Sequence, residues 1–297
     1  MSRLSSFIRE RRHAMREFPF WYGARFGKET GVGRGQRKIP LIVSLTTIPE
    51  RLEKMSITME SLLRQTLKPD RLILWLDDGL KNRKLPLPLR RQAKRGLEIR
   101  FIEDIGPYKK AIYALKEFPG CLIVVCDDDV IYPRDWLKEL AEAHEREPHC
   151  VVCHRARQMG VTAASGLRPY KEWEMAVKNY LTPSFSLFPI GVGGILYPPG
   201  ALHPEVFNDA VFRKICPLAD DVWMKAMSLL NNVRCHKVAP VFAQFVPVRG
   251  TQHKTLASEN MTRGRNDVQI RAVFDHYNLH RVLANADFAL LKTPPVV

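Results

Sequence analysis

The sequence predicts an α/β protein, a mostly parallel sheet flanked by helices with a more irregular carboxyl-terminal part. Three observations carry this. From Ile39 onward, short apolar runs alternate with segments of helical spacing. The connections between them are short, as in βαβ units with right-handed crossovers. Polar residues cluster directly after the apolar runs, where an open α/β sheet binds its ligands.

The elements follow in order. "IPLIVSLTT" is a near-continuous apolar run, the mark of a strand buried on both faces. "ERLEKMSITMESLLRQT" places Leu52, Met55, Met59, Leu62 and Leu63 on one helical face. "DRLILWLDDG" is a second strand ending in acid and glycine, "LRRQAKRG" a basic helix and "LEIRFIED" a third strand. "YKKAIYALKEF" is a helix and "CLIVVCDDD" a fourth strand. "RDWLKELAEAHERE" and "HCVVCHRA" add a helix and a strand. Residues 155–200 then turn irregular, rich in Gly, Pro and aromatics, as substrate-binding loops often are. "ADDVWMKAMSLLNN" returns to helix, "VRCHKVAPVFAQFVPV" reads as one or two strands, and "NDVQIRAVFDHYNLHRVLA" as a last amphipathic helix. The organisation expected is a basic amino-terminal segment and linker (1–38), a first subdomain (39–154) and a second with the final helix (155–297).

The 297 residues carry a net charge of +15, which calls for an anionic partner. Residues 1–38 hold ten Lys/Arg against three Glu, so nearly half of that excess lies in the first eighth of the chain. Residues 3–18 form a short helix on this reading, with Leu4, Phe7, Ile8, Met15 and Phe18 among arginines, before the Gly-rich linker "GKETGVGRGQRK". The segment is either a solvated tail or a peripheral anchor on an anionic membrane surface. No apolar stretch approaches the roughly 20 residues that span a bilayer, and no secretory leader is visible. Six cysteines, several in apolar runs, suit buried thiols in a cytoplasmic protein better than a disulfide scaffold. "CVVCH" matches a haem-attachment spacing, but it lies in a strand pattern.

"CLIVVCDDDVIYP" raises the chemical question. Asp127, Asp128 and Asp129 stand side by side after a buried run, and adjacent carboxylates repel. A divalent cation backed by a phosphate would offset that repulsion. Other polar residues fall at equivalent places: Thr46, Thr47, Glu50 and Arg51 after the first strand, Asp77 and Asp78 after the second, Lys109 and Lys110 before the fourth. No GxGxxG follows a strand and no GxxxxGK[ST] occurs, which argues against a dinucleotide dehydrogenase and a P-loop NTPase.

The ordered set "VSLTTIPERL", "SLLRQTLKPDRLILWLDDG", "GPYKKAIYAL" and "LIVVCDDDVIYPRDWL" resembles the nucleotide-sugar-binding half of GT-A-fold glycosyltransferases, which are Rossmann-like. "GVGGILYPPGAL" followed by "ADDVW" resembles the acceptor half. The likeness covers residues 39–245 and is nearest to bacterial enzymes of polysaccharide or lipopolysaccharide assembly. It implies that Asp127 and Asp129 hold Mn²⁺ or Mg²⁺ against a donor diphosphate, with Asp128 toward the ribose or donor sugar. It implies further that Thr46, Thr47, Glu50, Arg51, Asp77, Asp78, Lys109 and Lys110 meet the nucleotide, with a UDP-linked sugar the donor expected. Asp220 or Asp221 would be the general base of an inverting reaction, with Asp221 favoured and helix capping the competing role. Gly193, Gly194 and Trp223 would face the acceptor, a glycan or lipid-linked glycan. Trp173, Tyr180, Phe185 and Phe188 are stacking candidates, and His253 is a candidate third metal ligand of a retaining enzyme. Two rivals stand beside this reading: a nucleotidyl- or sugar-phosphate transferase, and a non-enzymatic basic protein binding membrane or nucleic acid. The acidic cluster disfavours nucleic acid, since without metal it repels phosphate.

Overall fold

A computed structural model describes residues 3–33, 37–160, 166–175, 182–239, 245–251 and 264–283. The first strands form where the apolar runs predict them: β1 (Leu41–Thr46), β2 (Arg71–Asp77), β3 (Leu97–Ile102) and β4 (Leu122–Val125). β1 pairs in parallel with both β2 and β4, and β2 in parallel with β3. The next strand, β5 (Val130–Ile131), lies outside the main sheet. β6 (Val151–Cys153) and, after three short strands, β10 (Ile195–Tyr197) and β11 (Cys235–Lys237) extend the sheet beyond β4. The full order is β11-β6-β10-β4-β1-β2-β3, in which β10 alone runs antiparallel to its neighbours. One sheet therefore crosses the boundary expected at residues 154/155, because β10 and β11 come from the second part.

Alternating side chains of the strands feed two apolar layers. One layer joins the sheet to α2 (Ser56–Leu63), α3 (Leu87–Ala93) and α5 (Trp136–Arg146) through Leu62, Leu89 and Leu137. The other joins it to α4 (Lys109–Glu117), α7 (Asp220–Leu230) and α8 (Arg265–His276) through Ile112, Trp223 and Phe274. α2 is half as long as its apolar spacing suggests: residues 49–55 form turns, yet Leu52 and Met55 still reach the core.

The small strands serve the irregular part. β7 (Ala156–Gln158) pairs antiparallel with β8 (Glu174–Met175) and β9 (Leu187–Pro189). β12 (Val246–Pro247) pairs antiparallel with β5, immediately after the acidic triplet. All six cysteines are free thiols, and Cys150 and Cys153 belong to β6 and its edge, where burial pushes both thiols up.

The amino-terminal segment is not a solvated tail. α1 (Arg3–Phe26) runs eight residues further than expected, through Pro19, and docks on α2 and α3. Its carbonyls meet three arginines: Arg64 donates to the Pro19 oxygen (3.0 Å), Arg95 to that of Gly23 (3.2 Å) and Arg91 to that of Arg25. Cations suit the carboxyl end of a helix. Gly23 permits the approach, because a Cβ there would lie 2.0 Å from the Arg64 guanidinium. Beneath, the fully buried Glu60 takes Arg95 at 2.6 Å and Arg64 at 2.9 Å.

Glu60 is thus the anion on which three helices converge. Glu60→Ala strands the buried Arg95 and is expected to cost about 3–5 kcal/mol. Urea unfolding followed by circular dichroism measures this, and a loss below about 1 kcal/mol would show the ion pair to be dispensable.

Candidate active site

The carboxyl ends of β1 and β4 lie side by side, so the loops after them share one surface. The loop after β4 carries the three aspartates, and each turns to a different partner. Asp128 points inward: it is 5% exposed, accepts from Arg51 at 2.7 Å and takes the Thr47 hydroxyl hydrogen bond. Its backbone carbonyl accepts from Thr58 (2.9 Å). Asp129 stands 3.2 Å from the same guanidinium. Asp127 is the more exposed and accepts from Lys110 Nζ at 2.7 Å. Burial works against the charge of Arg51, but the aspartates outweigh it and hold its pKa above the ordinary value. For Asp128 burial wins, pushing the carboxyl up in spite of Arg51 and Thr47. Repulsion in the triplet is therefore relieved partly from within the protein, by a guanidinium and an ammonium.

Lys110 joins this cluster to one formed a hundred residues later. Its Nζ lies 2.7 Å from Asp127 and 3.1 Å from Asp220, the first residue of α7. The ammonium is buried, yet Asp127, Asp220 and Asp221 keep it firmly protonated. Asp221 accepts from the backbone N–H of Gly191 at 3.0 Å. Burial first, and then the charge of Asp220, push Asp221 up to about 7, against the pull of Lys110 and Gly191. Asp220 is also raised by burial, with Lys110 opposing.

Gly191 was not singled out by sequence reasoning, although it opens the run "GVGGILYPPG". A Cβ on it would lie 3.0 Å from Asp221 Oδ1 and 3.3 Å from Lys110 Nζ, so a side chain would crowd the cluster. Tyr132 was missed as well. Its hydroxyl accepts from the Asp127 N–H (2.9 Å) and donates to the Val192 carbonyl (3.2 Å), tying the triplet to the Gly191 turn. The signal available for both was adjacency to motifs already recognised.

The other expected residues divide. Thr46 lies at the end of β1 and donates to the Trp75 carbonyl (2.8 Å), while Thr47 is committed to Asp128. Asp77 caps a short turn by accepting from Gly79 N–H (2.6 Å), and Asp78 and Glu50 are exposed. Lys109 turns away from the cluster to Asp104, at 2.5 Å. Asp128 is corrected from a donor contact to the buried partner of Arg51. Trp223 is corrected from an acceptor contact to a core residue: it is fully buried and donates to the Val206 carbonyl (3.1 Å). Gly193 and Gly194 are buried against Arg155 and the Trp136 ring, and the Gly193 carbonyl accepts from the Trp136 indole at 2.7 Å. Trp173 and Phe188 pack together in the core, and Phe185 lies under Arg234 at 5.2 Å. His253 and Tyr180 lie outside the described residues.

The donor set can be tested against a divalent cation. Among the described residues, no three His, Cys, Asp or Glu side chains come close enough to cage a metal alone. Asp127 and Asp129 nevertheless offer hard oxygens on alternate residues at one strand end. Arg51 pairs with Asp128 and Asp129 there, and Lys110 with Asp127 and Asp220, beside Asp221. A negatively charged pocket with two carboxylate ligands fits Mg²⁺ or Mn²⁺ that takes its remaining ligands from phosphate and water.

The glycosyl transferase family 2 model matches residues 50–190, a span that includes Arg51, Lys110, the aspartate triplet and β9. The chain is a glycosyltransferase. Its architecture is that of the GT-A enzymes. No curated protein matches the sequence. Solved structures similar to the glycosyltransferase include a mannosyltransferase from Pyrobaculum calidifontis in complex with GDP-Man and Mn²⁺. That pair has 15% identity and a TM-score of 0.47, over 94% of this chain and 83% of the other. Residues 1–349 of S. aureus TarS are similar at 15% identity and a TM-score of 0.44, over 86% and 76%. The complex of that protein with UDP-GlcNAc gives 14%, 0.45, 86% and 77%.

The position of Asp221 carries a stability signature. Below the ordinary carboxylate range both folded and unfolded chains are protonated there, and its contribution to stability is full. As pH rises toward about 7 the unfolded chain releases the proton first, so that contribution is progressively lost. Relative to the parent, Asp221→Asn should therefore gain stability between pH 4.5 and 7.5, by roughly 1–3 kcal/mol, and gain no more above it. Thermal melts across that range test this; a constant offset would mean that Asp221 titrates normally.

Proposed function

We propose that the enzyme transfers a sugar from a nucleoside-diphospho-sugar, UDP-linked, to a hydroxyl of a glycan or lipid-linked glycan, with inversion and with a divalent cation. The observation that carries this reading is the Lys110 bridge. One ammonium lies within 3.1 Å of carboxylates from both the Asp127 triplet and the Asp220–Asp221 pair, so donor-side and acceptor-side chemistry share one pocket.

Asp127 and Asp129 would hold Mn²⁺ or Mg²⁺ against the donor diphosphate, and the cation would supply charge neutralisation for the leaving nucleoside diphosphate. Arg51 fixes Asp129 for that role and keeps Asp128 ionisable in the interior. Thr46 and Asp77 end neighbouring strands and are the side chains nearest to hand for the base and ribose. Asp221 is the base. A carboxylate with a pKa near 7 accepts a proton from a hydroxyl better than an ordinary aspartate does. The acceptor oxygen forms its bond to the anomeric carbon as Asp221 takes the proton. The bond from that carbon to the diphosphate oxygen breaks, and its electron pair leaves with the nucleoside diphosphate. The Gly191 N–H holds Asp221 in position, and the ammonium of Lys110 limits the build-up of negative charge between the two sets of carboxylates.

Two substitutions separate the roles. Asp129→Ala should abolish Mn²⁺-dependent binding of UDP by the folded protein, measured by calorimetry; undiminished affinity would remove the triplet from the donor site. Asp221→Asn should leave UDP affinity near normal and lower kcat by about 10²–10⁴. The parent's kcat/KM should rise with pH along a limb near 7. A variant retaining substantial turnover would exclude Asp221 as base. Release of a nucleoside monophosphate or pyrophosphate in place of the diphosphate would favour the phosphotransferase reading.

A further inference from the structure

α1 presents its apolar side outward. Met15, Phe18, Trp21, Tyr22 and Phe26 are 75%, 59%, 41%, 53% and 54% exposed, while Glu17, Gly23 and Ala24 on the opposite side are buried against the enzyme. At 100° per residue, positions 11, 15, 18, 22, 25 and 26 fall on a single face of the helix, flanked by 21. This reverses the usual arrangement, in which a docked helix buries its large apolar residues. The rings pack against one another: Phe18 stacks with Trp21 at 6.0 Å, and Tyr22 meets Phe26 at 4.9 Å in a tilted pair. Arginines cover their edges, with Arg25 4.0 Å above Trp21 and Arg91, from α3, 5.9 Å from Phe26. Such a contiguous patch marks an interaction surface.

We infer that this face of α1 docks the enzyme on an anionic phospholipid surface. Charge complementarity selects the occupant. The patch is rimmed by Arg11 and Arg25, in a segment (1–38) of net charge +7, and by Arg91 of α3, which matches anionic headgroups and would set like against like in a symmetric pair of chains. Tryptophan, tyrosine and arginine together are the composition of a bilayer interface. No described helix is long and apolar enough to cross a membrane, so the attachment lies along the surface. The enzyme is already fixed to the other side of α1 through Glu60, Arg64 and Arg95, so the docked helix would orient the whole sheet against the lipid.

The chain carries its own reporter. Trp21 is exposed, whereas Trp75, Trp136, Trp173 and Trp223 are at most 2% exposed, so quenchers in a bilayer read Trp21. The full chain is expected to co-sediment with phosphatidylcholine vesicles containing phosphatidylglycerol, less with phosphatidylcholine alone, and to release at high salt. Brominated lipid should quench its fluorescence, and not that of Trp21→Phe. Phe18→Ser, Tyr22→Ser and Phe26→Ser together should lower vesicle partitioning at least about tenfold while preserving the fold and UDP binding. The proposal is overturned if the protein stays in the supernatant with anionic vesicles or if brominated lipid leaves Trp21 unquenched. It is equally overturned if the folded triple variant partitions like the parent, or if the face proves to mediate a dimer that the triple variant dissolves without vesicle binding by the parent.

Discussion

Two cations, the half-buried Arg51 and the buried Lys110, hold four carboxylates at one end of the sheet, and the arrangement of the site follows from how they are shared. Arg51 serves Asp128 and Asp129; Lys110 serves Asp127 and Asp220. Neither can leave without stranding charge in a poorly solvated pocket, where unpaired ions are costly. Their positions depend in turn on the parallel strands. β1 and β4 are neighbours, so Thr47 and Arg51 from one loop reach the triplet on the other. Ser44 of β1 is buried and donates to the Lys110 carbonyl at 2.5 Å, which fixes the start of α4 and with it the ammonium. The site is thus an electrostatic balance among neighbouring carboxylates and two cations.

The same balance explains the contrast between adjacent aspartates. Asp127, Asp128 and Asp129 have one composition and three environments: an ammonium at the rim, a hydroxyl and guanidinium inside, and a shared guanidinium between. Asp220 and Asp221 differ in the same way. Asp220 meets Lys110 directly, whereas Asp221 has the more distant charge of Lys110 and the Gly191 N–H to set against burial and its neighbour's charge. A weakly compensated carboxylate is the one best suited to take a proton near neutral pH.

The first four strands and the placement of the acidic residues at strand ends were legible because both rest on local patterns: continuous apolar runs, helical spacing and charge at run ends. What was illegible depended on direction. Nothing in "CDDDV" says that the middle aspartate turns inward, since an arginine 77 residues earlier decides that. Trp223 occupies an acidic helix start that reads as a site, but its place on α7 faces Phe212 and Tyr277 in the core. Lys109 and Lys110 are indistinguishable in sequence; one residue step along the helix, about 100° of rotation, sends the first to Asp104 and the second into the pocket. α1 was misjudged for a related reason. Pro19 suggests an end, yet arginines from two other helices hold the carbonyls beyond it, and no local rule anticipates partners 40 to 70 residues away.

α1 also bears on the site physically. Glu17 on its buried side accepts from the Arg249 N–H at 2.6 Å, and Lys54 donates to the Gly250 carbonyl at 2.9 Å. The residue before Arg249, Val248, donates its N–H to the Asp129 carbonyl at 2.8 Å, beside the β5–β12 pairing. Helix, loop and Asp129 are therefore consecutive members of one hydrogen-bonded path. Such a path transmits an effect only if it has two arrangements that differ in energy, and the rigid pairing of β5 with β12 argues for one. Its consequence is then positional: whatever surface α1 rests on, the loop that carries Asp129 is held at a fixed height above it. For a transferase whose acceptor is itself attached to that surface, fixed height replaces a search in three dimensions by one in two.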